Sequence, residues 1–560
     1  MKFRFFSLFV ILIFLSNLFL NSYSEVPQKS SIEVSATHAM VASAHPIASS
    51  VGIDILKQGG NAVDAAIAMA FALSIAEPNA SGIGGGGFMI IKMADQNEAI
   101  MIDYREMAPA KATSEFYYNA ELSFSDLTQE DKATSIGIPG LASCAELALE
   151  KYGSMTLEQI LAPTIKLCRE GIVVSEKLNG MINDNYEKIL KYPATGAIYL
   201  SEMMPLEPGS VLKNEDLAKT FEKIAYNGAN IFYEGEIAEA IVKEIKKQGG
   251  LFELSDLKSY KAKIRQPVLG SYRGYQIIST APPSGGGTHL IELLNIMEGF
   301  NIKAMRHNSA EFIHIFTEAM KMVFADKSAN AGDPDFCDVP VDSFISKKYA
   351  DRLRSLINRE QAMFNYSPPQ LTISESNNTS HLSVVDEKGN LVALTQSINS
   401  FFGSGIVASG TGILLNNHLS DFDSEPDRPN SIAPHKRPTS SIAPTIILKN
   451  GKPFMTLGTP GGTRIISALA QVIMNVIDFN MSMDDAIEAP RVHCLNKVLH
   501  VEGRIPEEVI TRLKAMGHAI KAHPDFDNYF GGAQGILIDP ETGTLFGGAD
   551  SRRDGVAIGF

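Results

Sequence analysis

TSHLSVVDEKGNLVALTQS, residues 379–397, is the stretch whose reading decides the fold. Two β-rich runs, 381–386 and 391–397, flank Glu387-Lys388-Gly389-Asn390, a hairpin turn signal. Further along, 445–448 and 453–457 flank Asn450-Gly451, which predicts a second hairpin. A long buried helix is expected over 463–477, and a last hairpin from 535–539 and 544–546. Hairpins interleaved with helices imply antiparallel sheets covered by helices, a layered α/β arrangement.

Upstream the texture is helical. The Ala-rich run 61–74 follows Gly59-Gly60, which stops the segment before it. Residues 140–151, 214–226, 237–248 and 310–325 also read as helices, with strands at 88–93 and 99–104 between them. Residues 365–378 are polar and turn-rich, with Pro368-Pro369 and Ser374-Glu375-Ser376-Asn377-Asn378, and read as a loop entering the β-rich third.

The 560 residues are 45% hydrophobic and 20% charged, the balance of a globular chain. The net charge is -14, and no dense Lys/Arg block lies beyond the first few residues, which argues against a nucleic-acid partner. Lys2 and Arg4 precede an apolar run over 5–20 and then Asn21-Ser22-Tyr23-Ser24. That order is a secretory signal cut after Ser24, which leaves no stable membrane anchor and predicts a periplasmic or secreted protein. Cys144, Cys168, Cys337 and Cys494 are scattered, with no CxxC and no His pair at metal spacing, so no zinc or iron–sulfur site is expected. Isolated buried thiols are the expected state, although export would permit a Cys144–Cys168 disulfide.

Taken singly, the chemical motifs are ordinary. A Thr-Ser-His at the start of a strand is common. Gly84-Gly85-Gly86-Gly87 has no following Lys-Ser/Thr, so it is no P-loop; it reads as backbone packed too closely for Cβ atoms. Gly403-Ser404-Gly405 lacks the third glycine of a dinucleotide loop, and no GxSxG elbow exists.

Their joint order is specific. GGNAVDAA (59–66), GIGGGGF (82–88), DYREMAP (103–109), TSHLSVVD (379–386), GILLNN (412–417), KRPTSS (436–441) and GTPGGTR (458–464) follow one another along nearly the whole chain after residue 24. In these motifs the sequence resembles the γ-glutamyltranspeptidase (glutathione hydrolase) family. The resemblance implies an N-terminal-nucleophile hydrolase with an αββα sandwich, two packed antiparallel sheets between helices. It implies self-cleavage between Asn378 and Thr379, giving a large chain (25–378) and a small chain (379–560) that stay together as a heterodimer. Thr379 would be the nucleophile and its freed α-amine the base, since such an amine titrates near neutrality. Glutathione and related γ-glutamyl compounds would be donors, with water, amino acids or peptides as acceptors, and no metal or organic cofactor is implied.

By the same resemblance, Gly461 and Gly462 match the oxyanion-hole glycines, and Ser397 a hydroxyl that supports the nucleophile. Arg105 matches the arginine for the donor α-carboxylate, with Ser440 and Ser441 as further contacts to it. Asn399 and Asp421 match groups for the α-amino end. Two positions depart from the pattern. His418 stands where the family usually has Glu or Gln, and a protonated imidazole there would repel an ammonium, loosening the preference for a γ-glutamyl head. Only residues 422–439 separate Asp421 from Ser440, and none is the Tyr that better-known members carry in a longer lid. A shorter lid would leave the pocket open to bulky donors and to hydrolysis. These departures keep an acylase of glutaryl or poly-γ-glutamyl substrates as the rival reading. An uncleaved, inactive binding relative is the remaining alternative.

Overall fold

The computed structural model describes residues 33–118, 122–363 and 378–560. The leader expected at 1–24 and most of the loop at 365–378 lie outside the described residues.

Two seven-stranded antiparallel sheets form the centre. The first runs, edge to edge, through Val556–Gly559, Met40–Ser43, Ser380–Val385, Leu391–Ser397, Gly86–Lys92, Ile100–Asp103 and Lys263–Arg265. The second runs through Val34–Ala36, Leu545–Ala549, Gln534–Ile538, Lys452–Gly458, Thr445–Lys449, Tyr275–Ser279 and Val268–Tyr272. The three expected hairpins are present. At the second, Asn450 and Gly451 both take positive φ, 52° and 76°, as a two-residue primed turn requires.

Alternation along the strands explains the layers. Leu382 and Val384, with Val392 and Leu394, enter one core; Val385, Leu391 and Ala393 enter the other. Both faces of the first sheet are therefore buried, one under helices and one against the second sheet. The first core is closed by the helices Pro46–Lys57 and Ala62–Ala76. Every residue of Ala62–Ala76 is buried, and its small Ala side chains let it lie close to the sheet. Its start is fixed by a capping box in which Asn61 and Asp64 exchange hydrogen bonds with each other's backbone. Helices Gly286–Glu298 and Arg464–Ile477 cover the second sheet, and Ala310–Asn330 packs against Gly286–Glu298 in the same core. The architecture is the expected αββα sandwich.

The glycine run does what its composition suggests. A Cβ on Gly84, Gly85 or Gly87 would lie 2.0–2.2 Å from the carbonyl oxygens of Leu414, Ser397 and Thr395. None of the four cysteines is in a disulfide; Cys144, Cys168 and Cys494 are buried, and burial pushes the Cys168 and Cys494 thiols up to about 12. Among the described residues no helix is long and apolar enough to cross a membrane.

Candidate active site

Thr379 stands at the head of the Ser380–Val385 strand, buried at 3% exposure. Hairpin register pairs Ser380 with Gln396, which carries Ser397, 18 positions along the chain, to the side of Thr379. The Asn378 carbonyl oxygen accepts from Thr379 Oγ1 at 2.5 Å and from Ser397 Oγ at 2.8 Å. The Asn399 backbone N–H donates to Ser397 Oγ at 2.9 Å, occupying a lone pair and directing the hydroxyl proton to Asn378. On the other side, Asn378 Nδ2 donates to the Asn79 carbonyl. The bond between 378 and 379 is thus clamped at both of its flanks.

His381, two residues on, takes no part. Its Nδ1 meets Thr395 Oγ1 at 2.7 Å and its Nε2 meets Ser383 Oγ at 2.9 Å. Burial lowers it to about 3, so it stays neutral between the sheets. Behind the strand, Ser380 Oγ donates to Glu77 at 2.5 Å, and burial raises that carboxyl to about 7 although Arg553 lies beside it.

A cleft opens on Thr379. Its lining includes Arg105, Ser397, Asn399, His418, Asp421, Ser440, Ser441 and Gly462. Nearly every residue expected from the motifs is therefore gathered at one place. Gly461 is not in the lining; it sits one residue behind, at φ 130°, with Gly462 at φ 56°. The pair turns the Lys452–Gly458 strand into the Arg464–Ile477 helix, so the loop N–H groups lie at a helix N-terminus, where negative charge is favoured.

Opposite charges line the inner end. Arg105 is 1% exposed and donates through Nη2 to Asp421 Oδ2 at 2.5 Å and to the Thr439 carbonyl at 3.0 Å. Its Nη1 lies 3.4 Å from Glu106 Oε2. Asn399 Nδ2 holds Asp421 Oδ1 at 3.1 Å. Ser441 Oγ is buried and makes no hydrogen bond to any described residue, an orphan of the kind a ligand oxygen would satisfy. A paired cation and anion with spare hydroxyls beside them suit a zwitterionic head group.

The 422–439 segment forms one wall, with Phe422, Asp423, Ser424 and Asn430 in the lining. It contains no Tyr, but Tyr118 braces it from outside: its hydroxyl donates to the Asp423 carbonyl at 2.8 Å and accepts from Ile432 N–H at 3.1 Å. The motifs missed several lining residues. Lys327, Ser328 and Ala331 come from the end of the Ala310–Asn330 helix, which carries no local signature of a site. Glu106, beside Arg105, was missed as well. Away from the cleft, His314, Glu318 and His518 bring possible metal-ligand atoms within 4.8 Å of one another. Those atoms serve one another instead: His314 bonds His518 and the Asn358 carbonyl, and Glu318 pairs with Lys321.

Comparison with known proteins finds both glutathione hydrolases and acylases. The glutathione hydrolase proenzyme of Escherichia coli (strain K12) is 40% identical over 543 residues, covering 94% of this chain and 93% of that protein. The acylase ACY 1 proenzyme of Pseudomonas sp. (strain SE83) is 39% identical over 530 residues, 94% of each. The cephalosporin acylase structure from Bacillus halodurans superposes with a TM-score of 0.88 at 30% identity, covering 96% of this chain and 98% of that one. The Helicobacter pylori γ-glutamyltranspeptidase structure matches at 41% identity and a TM-score of 0.55, over 57% of this chain and 91% of that one. A family profile described as gamma-glutamyltranspeptidase covers residues 48–560, and the chain belongs to the γ-glutamyltranspeptidase family.

Proposed function

We propose that this chain is an exported proenzyme that cuts itself before Thr379 and then uses Thr379 to transfer γ-glutamyl groups. The carrying observation is the Asn378 carbonyl, held by two hydroxyls at the mouth of a cleft lined with paired opposite charges. Attack of Thr379 Oγ on the Asn378 carbonyl carbon breaks the C–N bond and leaves an Asn378–Thr379 ester with a free Thr379 amine. Water hydrolyses that ester, giving the Asn378 carboxylate and restoring the hydroxyl. Ser397 donates to the oxygen on which negative charge collects during the attack.

In the mature enzyme the Thr379 amine takes the hydroxyl proton, and Oγ attacks the γ-amide of glutathione or a related donor. The N–H groups at Gly461 and Gly462 stabilise the oxyanion, and the leaving amine departs with a proton. Arg105, Ser440 and Ser441 hold the donor α-carboxylate, while Asp421 and Asn399 hold its ammonium. Inserting a zwitterion between Arg105 and Asp421 exchanges one ion pair for two of the same signs, so little charge is stranded. Water or an amino-acid or peptide amine then releases the γ-glutamyl ester. No step needs a metal or organic cofactor.

Intact-mass analysis of wild type beside Thr379→Ala tests this reading. Wild type should give two chains, 25–378 and 379–560, and the variant one. A well-folded wild type that stays whole removes the amine, and the enzyme reading with it.

His418 supports a second reading, an acylase of glutaryl or similar donors, and the Bacillus halodurans and Pseudomonas relatives are themselves named acylases. Rates on glutathione and on a glutaryl anilide separate the two, since a glutaryl preference defeats the γ-glutamyl claim.

A further inference from the structure

Glu106 lies beneath the inner end of the cleft, fully buried. Two glycines clear its seat. A Cβ on Gly86 would stand 2.8 Å from Glu106 Cδ and 2.9 Å from Oε2, and one on Gly137 would stand 2.8 Å from Glu106 Cβ. Fitted so closely, the carboxyl has little room to swing. Its Oε2 faces Arg105 Nη1 at 3.4 Å, and its Oε1 lies 2.8 Å from His418 Nδ1. The imidazole is 3% exposed on its side chain, and its ring edge lines the cleft.

The contact between Oε1 and Nδ1 is an ion-pair distance that lies out of line for a hydrogen bond, and neither atom has another hydrogen-bond partner among the described residues. At that separation two facing lone pairs would repel, so one of the two atoms carries a proton. Oε2 is turned to the Arg105 guanidinium and Oε1 to Nδ1, so the carboxylate faces a donor on each side and the imidazole proton sits on Nδ1. A neutral imidazole protonated at Nδ1 keeps its lone pair on Nε2. His418 Nε2 makes no hydrogen bond to a described residue, and Nδ1, not Nε2, is the ring nitrogen sealed from the cleft.

We infer that Glu106 fixes the tautomer of His418, so that His418 Nε2 accepts a hydrogen bond from the donor's α-ammonium. Glu106 is then a positioning residue for donor specificity. This rests on the γ-glutamyl reading above. It also answers the charge problem at His418. The Glu106–His418 pair carries one negative charge with the imidazole neutral and none with it protonated, so the pair never presents a net positive charge to the ammonium.

A γ-glutamyl anilide and a glutaryl anilide share the carboxylate and differ only in the α-amino group. The ratio of their kcat/KM values therefore isolates recognition of the ammonium and serves as its own control for folding. Wild type should prefer the γ-glutamyl anilide. In Glu106→Gln the ratio should fall about ten-fold, the cost of one hydrogen bond to a charged group. In the double variant Glu106→Gln/His418→Gln the ratio should recover, because a carboxamide at 418 needs no partner to set its acceptor. An unchanged ratio in Glu106→Gln, or no recovery in the double variant, overturns the inference. A wild type without γ-glutamyl preference overturns the donor reading instead, and this inference falls with it. Should Glu106→Gln fail to mature, nitrogen-15 spectra of histidine-labelled wild type decide the matter. The His418 signals, identified by their loss in His418→Gln, should report a protonated Nδ1, and a protonated Nε2 overturns the inference.

Discussion

At the residue scale, maturation turns on how the Asn378 carbonyl is gripped. Ser397 donates to the Asn378 carbonyl oxygen, where the proposed self-cleavage would collect negative charge, and its own orientation is set by the Asn399 N–H. Losing one oxyanion donor slows acyl transfer about a hundred-fold or more. Ser397→Ala should therefore slow self-cleavage by about that factor, while Ser397→Thr, which keeps a hydroxyl there, matures near the wild-type rate. The two chains' appearance, followed by denaturing electrophoresis after synthesis, measures it. Equal rates for Ser397→Ala and wild type would leave the Asn378 oxygen with some other donor. His381 illustrates the opposite case. The sequence sets an imidazole two residues from the nucleophile, yet its neighbours Ser383 and Thr395 use both nitrogens, so proximity along the chain confers no chemical role.

At the element scale, the strand Gly86–Lys92 and its preceding glycines owe their composition to crowding, not to conformational freedom. A Cβ on Gly87 would lie 2.2 Å from the Thr395 carbonyl oxygen and 2.8 Å from Gln396 Cα, and neither backbone atom can yield without breaking the central ladder. Gly451 is the contrasting case: its Cβ would meet nothing within 4 Å, but its φ is 76°. Gly87→Ala should cost about 3 kcal/mol through overpacking. Gly451→Ala should cost about 1 kcal/mol through left-handed strain alone. Thermal unfolding of the two variants should rank them in that order, with Gly87→Ala much the lower. Comparable midpoints would mean that the sheet can shift to admit a methyl group.

At the scale of the whole molecule, the proposed self-cleavage would divide the chain without dividing the fold. In the first sheet Met40–Ser43 lies between Val556–Gly559 and Ser380–Val385, and Leu391–Ser397 lies against Gly86–Lys92. In the second, Val34–Ala36 pairs with Leu545–Ala549, and Tyr275–Ser279 with Thr445–Lys449. Each sheet therefore mixes strands from before and after the Asn378–Thr379 bond, and neither of the proposed chains could bury its strands alone. The mature protein should elute as one particle holding both chains and should unfold in a single transition, seen by gel filtration and calorimetry. Separate elution in native buffer would contradict the interleaved topology.

The sequence by itself determined the class of fold and the family, and it named most of the residues that the structure gathers in the cleft. Periodicity and turn residues are local properties, so the hairpin over 381–397 was legible before its register was known. The ordered motifs carried the family, and with it Arg105, Asn399, Asp421, Ser440, Ser441 and the two glycines. Only the tertiary structure showed what those residues do to one another. That Arg105 is held between Asp421 and Glu106, that Glu106 backs His418, and that the Ala310–Asn330 helix reaches the cleft with Lys327 are facts of packing between distant segments. Such contacts leave no periodic trace, because the charge of a buried group and the proton it shares depend on whichever neighbours the fold supplies.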